Sequence, residues 1–331
     1  MLSKRQSELL EQIVLEYVKT TKPVGSNHLC ERLKVSSATV RNDMASLEEL
    51  GFLEKNHISS GRIPSEKGYR YYVDYLMEPQ KLNGEEMLKL QTIFHNQTLK
   101  ISDVIQESMA IISEMTNYTT VVLGKASSTN CLKQVEVVPI DDMHLIALLV
   151  TDKGHVEHKD IFFSEQYDLS AMRHIVGLIN KMLIGTPISE ISNKLEYEIK
   201  PIISGHVKQH EMLYDAFYQA FNDFKDNTII KVKGKNKFLN QPEFSNIEKI
   251  KCLIEKLDDP AFIGSIEEKD NEIKCYIGHE SQIDDDVAVI KTKYNTGGEE
   301  GTIAIIGPKR MHYEKAVTFL EYIKQNIEVK E

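Results

Sequence analysis

Residues 36–51, Ser-Ser-Ala-Thr-Val-Arg-Asn-Asp-Met-Ala-Ser-Leu-Glu-Glu-Leu-Gly, constrain this chain more than any other stretch. Both ends of a helix are marked in them. Ser36 is placed to cap the N-terminus, its hydroxyl accepting a bond from a first-turn amide that has no partner in the helix. Gly51 stands where helices end in a left-handed residue, a conformation glycine adopts without steric cost. Val40, Met44, Leu47 and Leu50 recur at helical spacing and form one apolar stripe. The opposite face carries Ala38, Asn42 and Ala45 at its centre, with Thr39, Ser46 and Arg41 beside them. Short side chains around one Arg and one Asn suit a DNA major groove, where Arg pairs bidentately with guanine and Asn with adenine.

The flanking sequence supplies the rest of such a module. Ser3 to Thr21 reads as a first helix, with Leu9, Leu10, Ile13, Val14, Tyr17 and Val18 on one side. Pro23 and Gly25 break it, and Ser26 is expected to cap a short helix through Leu33. Lys34 and Val35 make the turn into Ser36, which is helix-turn-helix order. Residues 52–64 read as two short extended pieces around a small-residue tip, a wing, with Arg62 just past the tip. Ser65 opens a further helix whose Tyr69, Tyr71, Tyr72 and Tyr75 are expected to pack against the wing and the next domain. The expected DNA-contacting residues are Ser26, Ser36, Ser37, Thr39, Arg41, Asn42, Lys55, His57, Arg62 and Arg70. Arg41 and Asn42 would reach bases or adjacent phosphates, Ser37 and Thr39 would anchor near the helix N-terminus, and Arg62 would work from the wing.

Charge divides along the chain. Its 331 residues carry a net −10, yet residues 1–78 hold eleven Lys or Arg against eleven Asp or Glu. An acidic body would repel DNA where the neutral N-terminal piece would not. The four cysteines, 30, 131, 252 and 275, have no paired spacing, so buried free thiols are expected rather than a zinc site or disulfides. The N-terminus lacks the apolar run of a signal peptide, and the longest apolar run, Leu145 to Val150, is too short to span a bilayer. A cytoplasmic protein without a membrane partner is expected.

The body alternates between strands and helices. Residues 83–117 read as one or two helices, and Thr119 to Gly124 as the first of a strand series. Leu132 to Pro139, His144 to Val150 and Val156 to Phe163 continue that series. Residues 169–184 and most of 188–224 read as helical. Strands return at 272–278, 287–294 and 302–307, with residues 295–301 turning the last pair, and a helix from about Lys309 to Ile327 closes the chain. Strands, then helices, then strands suggest an α+β domain with a helical insertion. Motifs of phosphate-cradling loops, zinc proteases and serine hydrolases are absent, so neither an enzyme nor a cofactor is expected. His206 and His210 stand one helical turn apart without a third ligand, and Asp284-Asp285-Asp286 reads as a solvated loop rather than a cation site.

Residues 23–76 resemble the N-terminal signature of the bacterial heat-inducible transcription repressor family, HrcA. The resemblance rests on Pro23-Val24-Gly25-Ser26, Ser37-Ala38-Thr39-Val40-Arg41-Asn42, Gly61-Arg62-Ile63-Pro64 and Gly68-Tyr69-Arg70-Tyr71-Tyr72-Val73. Gly307-Pro308-Lys309-Arg310-Met311-His312-Tyr313 and Phe238-Leu239-Asn240-Gln241-Pro242-Glu243-Phe244 resemble two further family elements. Ile58 and Ser60 depart from the usual Thr and Ala, which leaves the wing contacts open. The resemblance implies a winged helix-turn-helix followed by a GAF-like α/β sheet domain, interrupted by a mainly helical inserted dimerising domain. The expected boundaries are 1–78 for DNA binding, 79–117 for linking helices, 118–164 with 246–331 for the GAF-like domain, and 165–245 for the insertion. It further implies a homodimer on a long inverted-repeat operator of double-stranded DNA before chaperone operons, kept active by the chaperonin and released on heating. The alternative is an intracellular small-molecule sensor whose N-terminal module makes protein contacts.

Overall fold

A computed structural model describes residues 2–55, 61–96, 99, 101–125, 130–152, 154, 156–203, 217–219, 228–296 and 299–329. The chain falls into two compact units, the first comprising Met1–Leu123, Ile230–Thr296 and Gly301–Glu331, the second Gly124–Ile229 and Gly297–Glu300.

The first unit begins with α1 (Lys4–Thr20), α2 (Ser26–Leu33) and α3 (Ser37–Glu49). Ser3 starts α1 with a reciprocal capping box to Gln6. Leu9, Leu10, Ile13, Leu29, Val40 and Leu47 are sealed in one core. Full burial of each such side chain contributes about 1.5–3 kcal/mol. Two expectations need correction here. Ser26 does not cap α2: Gly25 is the N-cap, with no side-chain cap bond, and Ser26 is the first helical residue. Leu50 does not extend the apolar stripe, being 47% exposed. Helix α3 ends one residue earlier, and Gly51 (φ +78°) turns the chain. The Phe52 amide then closes on the Leu47 carbonyl at 2.8 Å and the Gly51 amide on Glu48 at 2.9 Å, a Schellman ending that sends Phe52 rather than Leu50 inward.

The wing is β1 (Leu53–Lys55) antiparallel to β2 (Arg62–Pro64), with Lys55 opposite Arg62. Its tip, including the expected contact His57 and the departures Ile58 and Ser60, lies outside the described residues. The Val24 and Arg62 backbones bond reciprocally at 2.9 and 3.0 Å, so the loop before α2 joins the wing root. A Cβ on Gly61 would lie 2.8 Å from Pro23 atoms, so this position needs glycine. Helix α4 (Glu66–Tyr71) follows, and Ser65 serves both neighbours: it accepts from the Gly68 amide at 3.0 Å and donates to the Gly51 carbonyl at 2.6 Å. A Cβ on Gly68 would come within 2.2 Å of the Phe52 carbonyl oxygen. Tyr69, Tyr71 and Tyr72 pack as expected, whereas Tyr75 is 70% exposed and meets the Tyr71 ring. Tyr71 meets Phe52 edge-on with ring centroids 5.2 Å apart, and fully buried Tyr69 lies 6.1 Å from Tyr313. Burial pushes the hydroxyls of Tyr69 and Tyr313 well above the ordinary tyrosine range.

A five-stranded sheet completes the unit, in the order β7 (Thr228–Lys233), β3 (Thr119–Lys125), β10 (Glu299–Pro308), β9 (Val287–Thr296), β8 (Lys274–Ile277). Strict alternation feeds two cores. Ala288, Ile290, Ile303 and Ile305 face the core shared with the N-terminal helices and the closing helix Tyr313–Val329. Val287, Val289, Ala304 and Ile306 face Phe238, Phe244, Leu253 and Leu257. Helices α5 (Gly84–Phe94) and α6 (Ile101–Thr116) are not a bare linker, since Leu90, Phe94, Val104, Met109 and Ile112 are buried in the first of these cores. The two C-terminal motifs meet each other: Arg310 forks onto the Glu243 carboxylate and reaches Gln241 Oε1 at 3.0 Å. Asp284 and Asp286 are ion-paired with Lys249, so this loop is salt-bridged.

The second unit is a three-stranded antiparallel sheet, β4 (Leu132–Pro139), β5 (His144–Thr151) and β6 (Val156–Phe162), covered on one face by α7 (Leu169–Leu183) and α8 (Ile188–Lys194). The Asn180 side chain straps α7 to β4, donating to the Val135 carbonyl and accepting from its amide at 2.8 Å each. These three strands were expected in the same domain as β3 and β8 to β10. They form a sheet of their own with the helices that follow, because alternation marks a strand without naming its neighbour. The strand β7 was missed, although Thr228-Ile229-Ile230-Lys231-Val232-Lys233 carries β-branched residues in a run.

The cysteine expectation holds only in part. All four are free, but Cys252 is exposed and Cys30, Cys131 and Cys275 are only half-buried. Burial pushes the Cys275 thiol up to about 12. A thiolate-selective alkylating reagent at mildly alkaline pH should therefore label Cys252 and leave Cys275 unmodified, read by peptide mass spectrometry. Comparable labelling of both would contradict the burial. Gly68→Ala should cost about 1–3 kcal/mol through the clash with the Phe52 carbonyl, read as a lower urea midpoint. An unchanged midpoint would show that α4 does not sit this close.

Candidate nucleic-acid interface

Helix α3 presents a face that no other described part of its own module covers. Ala38, Arg41, Asn42, Ala45 and Glu49 are exposed, while Val40, Met44 and Leu47 on the other side are buried. The helix starts as the sequence indicates, with Ser36 Oγ accepting from the Thr39 amide at 3.2 Å and lying 2.9 Å from Thr39 Oγ1. Among the described residues Asn42 makes no side-chain hydrogen bond, leaving its amide donors and acceptor available for bidentate pairing.

Side chains from α2 organise the start of this face. Ser37 Oγ donates to Asn27 Oδ1 at 2.8 Å, and Ser26 Oγ lies 3.4 Å from Ser37 Oγ. Arg41 Nε donates to Ser26 Oγ at 3.2 Å, which steers the guanidinium toward the N-terminus of α2. Arg41, Arg62, Ser26, Asn27, Gly25 and Met44 line a polar recess of about 420 Å³. Two guanidinium groups in one recess beside a helix N-terminus without a side-chain cap give an environment suited to an anion.

The expected residues do not all gather there. Arg62 does not project freely from the wing. Its side chain is 18% exposed and its Nε donates to Glu48 Oε2 on α3 at 2.6 Å. Lys55 is exposed at the end of β1. Arg70 is engaged away from this face: it donates to the Cys275 carbonyl at 2.7 Å and pairs with Glu280 and Asp74, tying α4 to the edge strand β8. Its sequence neighbourhood of tyrosines gave no hint of a partner 205 residues away.

Sequence reading also passed over the groups that hold α3 in place. Arg5 grips the buried Asp43 with two bonds, Nε to Oδ2 at 2.6 Å and Nη2 to Oδ1 at 3.1 Å. Hydrogen bonding to Asp43 raises the Arg5 pKa above its ordinary value. Gln6 Nε2 donates to Ser46 Oγ at 3.2 Å one turn further along. Glu16 on α1 pairs with His28 at 3.0 Å and Arg32 at 3.1 Å on α2. These partners are separated by many residues, and nothing local in the sequence announces them. Among the described residues no group of three His, Cys, Asp or Glu is arranged to hold a metal, and no helix is long and apolar enough to cross a membrane. His206 and His210 lie outside the described residues.

Comparison with known proteins agrees with this geometry. A family model for the HrcA protein C-terminal domain matches residues 102–317, and one for the DeoR-like helix-turn-helix domain matches residues 11–61. The heat-inducible transcription repressor HrcA of Bacillus pumilus (strain SAFR-032) is 37% identical over 333 residues, covering 99% of this chain and 97% of that protein. A crystal structure at 2.2 Å of a protein described as hypothetical shares the fold, with a TM-score of 0.67 at 23% identity over 99% of this chain and 98% of the other.

Proposed function

Because the chain belongs to the HrcA family of heat-inducible transcription repressors, we propose that it represses as a homodimer on an inverted-repeat operator, with α3 of each copy in a major groove. The exposed Arg41 and Asn42, set among short side chains on α3, carry this reading. Ser37 and Thr39 lie near the helix N-terminus, and the recess between Arg41 and Arg62 would take a backbone phosphate. Base contacts of this kind discriminate by about 1–3 kcal/mol each. Arg41→Ala and Asn42→Ala should each weaken binding to the inverted repeat by roughly 5- to 150-fold, with the melting temperature unchanged. Fluorescence anisotropy against the repeat and a scrambled duplex measures this. Unchanged affinity for the repeat would remove both residues from the contact.

We assign dimerisation to the second unit and read the five-stranded sheet of the first as the GAF-like domain. The family resemblance implies dimerisation in an inserted segment, expected at 165–245; the second unit, inserted between β3 and β7 and starting earlier, at Gly124, supports that reading with wider bounds. The face of its sheet away from α7 and α8 carries an apolar stripe: Ile146, Leu148 and Val150 run down the central strand, with Val138, Val156 and Phe162 beside them and the polar Gln134, Glu136, His144, His158 and Asp160 bordering the stripe. Phe162 is 69% exposed and Val156 57%. A second copy of the same face would cover these side chains. Leu148→Arg should leave each copy folded but monomeric in sedimentation velocity, and should abolish binding to the full repeat. A variant that remains dimeric would place the interface elsewhere.

The chaperonin partner implied by the resemblance belongs to the same proposal. Warming fills the chaperonin with unfolded protein, and the repressor then loses its support and releases the operator. Purified chaperonin should therefore raise the DNA-binding fraction of the repressor after mild heating.

A further inference from the structure

The wing arginine is already occupied. Arg62 Nε donates to Glu48 Oε2 at 2.6 Å, the geometry in which an arginine otherwise holds a phosphate oxygen. The two groups come from different elements, Glu48 from the last turns of α3 and Arg62 from the wing root, and both are partly exposed, at 32% and 18%. Backbone bonds between Arg62 and Val24, with Gly61 pressed against Pro23, fix the wing root independently of this ion pair. The Glu48 carboxylate therefore need not anchor the wing. Its neighbour Glu49 is exposed on the same helix and has no charged partner among the described residues.

We propose that Glu48 is an internal competitor for the DNA backbone: it occupies Arg62 in the free protein and thereby limits binding to duplexes of any sequence. This rests on the reading of α3 and the wing as the DNA-contacting surface. A phosphate entering the recess must share or displace the Glu48 contact before it gains Arg62. The cost is independent of base sequence, because phosphates carry no sequence information. An acid placed among DNA-contacting residues thus restrains nonspecific affinity, the term that competes with operator recognition across a genome.

The test is Glu48→Gln in the full-length protein, beside Glu49→Gln and Arg62→Ala, titrated on the inverted repeat and on a scrambled duplex at several salt concentrations. Releasing one phosphate-binding cation should steepen the salt slope by about 0.9. The advantage of Glu48→Gln over wild type should then shrink about 3.5-fold between about 50 and about 200 mM salt. The gain should be equal on both duplexes, larger than that of Glu49→Gln, and absent when Arg62→Ala is added. Weaker binding by Glu48→Gln at an unchanged melting temperature would overturn the proposal and make Glu48 a clamp that presents Arg62. A gain matched by Glu49→Gln would overturn it too, leaving only the removal of a negative charge. Failure of the wild type to prefer the repeat would instead defeat the operator reading, while the scrambled-duplex comparison still judges Glu48. Wild-type protein that binds neither duplex defeats both.

Discussion

The return of the chain after α3 is the constraint on which the N-terminal module depends. Gly51 adopts a left-handed conformation, the Schellman bonds close, and Phe52 enters the core beneath the wing. The Phe52 carbonyl then receives the Ser65 amide at 3.1 Å and abuts the bare Cα of Gly68. One peptide unit thereby sets the end of α3, the root of the wing and the start of α4. Two residues without a side chain make this possible, because a Cβ on Gly68 has no room and one on Gly51 would be strained at that φ. The middle of α3 is fixed by polar contacts instead, chiefly the grip of Arg5 on Asp43. Of the exposed residues on this face, Ala38, Arg41, Asn42, Ala45 and Glu49, only Arg41 makes a side-chain hydrogen bond among the described residues.

Charge in this module is arranged locally rather than by excess. Acidic and basic residues balance over residues 1–78 while the whole chain carries −10. Four of the five N-terminal arginines have acidic partners: Arg5 with Asp43, Arg32 with Glu16, Arg62 with Glu48 and Arg70 with Glu280. Arg41 and the lysines 19, 22, 34, 55 and 67 are exposed and have no acidic partner among the described residues. An interface built this way relies on geometry, and the acidic remainder disfavours adventitious contact with the DNA backbone.

Much of the fold was legible because it depends on local signals. Helix caps at Ser36 and Ser65, the left-handed Gly51, and the alternation within β5, β9 and β10 follow from near-neighbour chemistry. Strand partnership was not legible. β3 pairs with β7 and β10, far along the chain, whereas β4, β5 and β6 pair among themselves. Both patterns look alike in sequence, since period-two burial fixes a face and not a neighbour. At the candidate site, exposed Arg41 and Asn42 follow from helical periodicity alone. The engagement of Arg62 and Arg70 does not, because a long cation reaches partners that depend on tertiary placement. The motif glycines and prolines also acquire a physical reason only in three dimensions, as the contact between Gly61 and Pro23 illustrates.

The most direct measurement is dimethyl sulfate protection of guanine N7 atoms across an inverted-repeat promoter fragment bound by the purified repressor. With α3 seated in the major groove, guanines in both half-sites should be protected, and Arg41→Ala should restore the reactivity of its own guanine in each. A complex that forms on the repeat yet leaves every major-groove N7 as reactive as in free DNA would contradict the placement of α3.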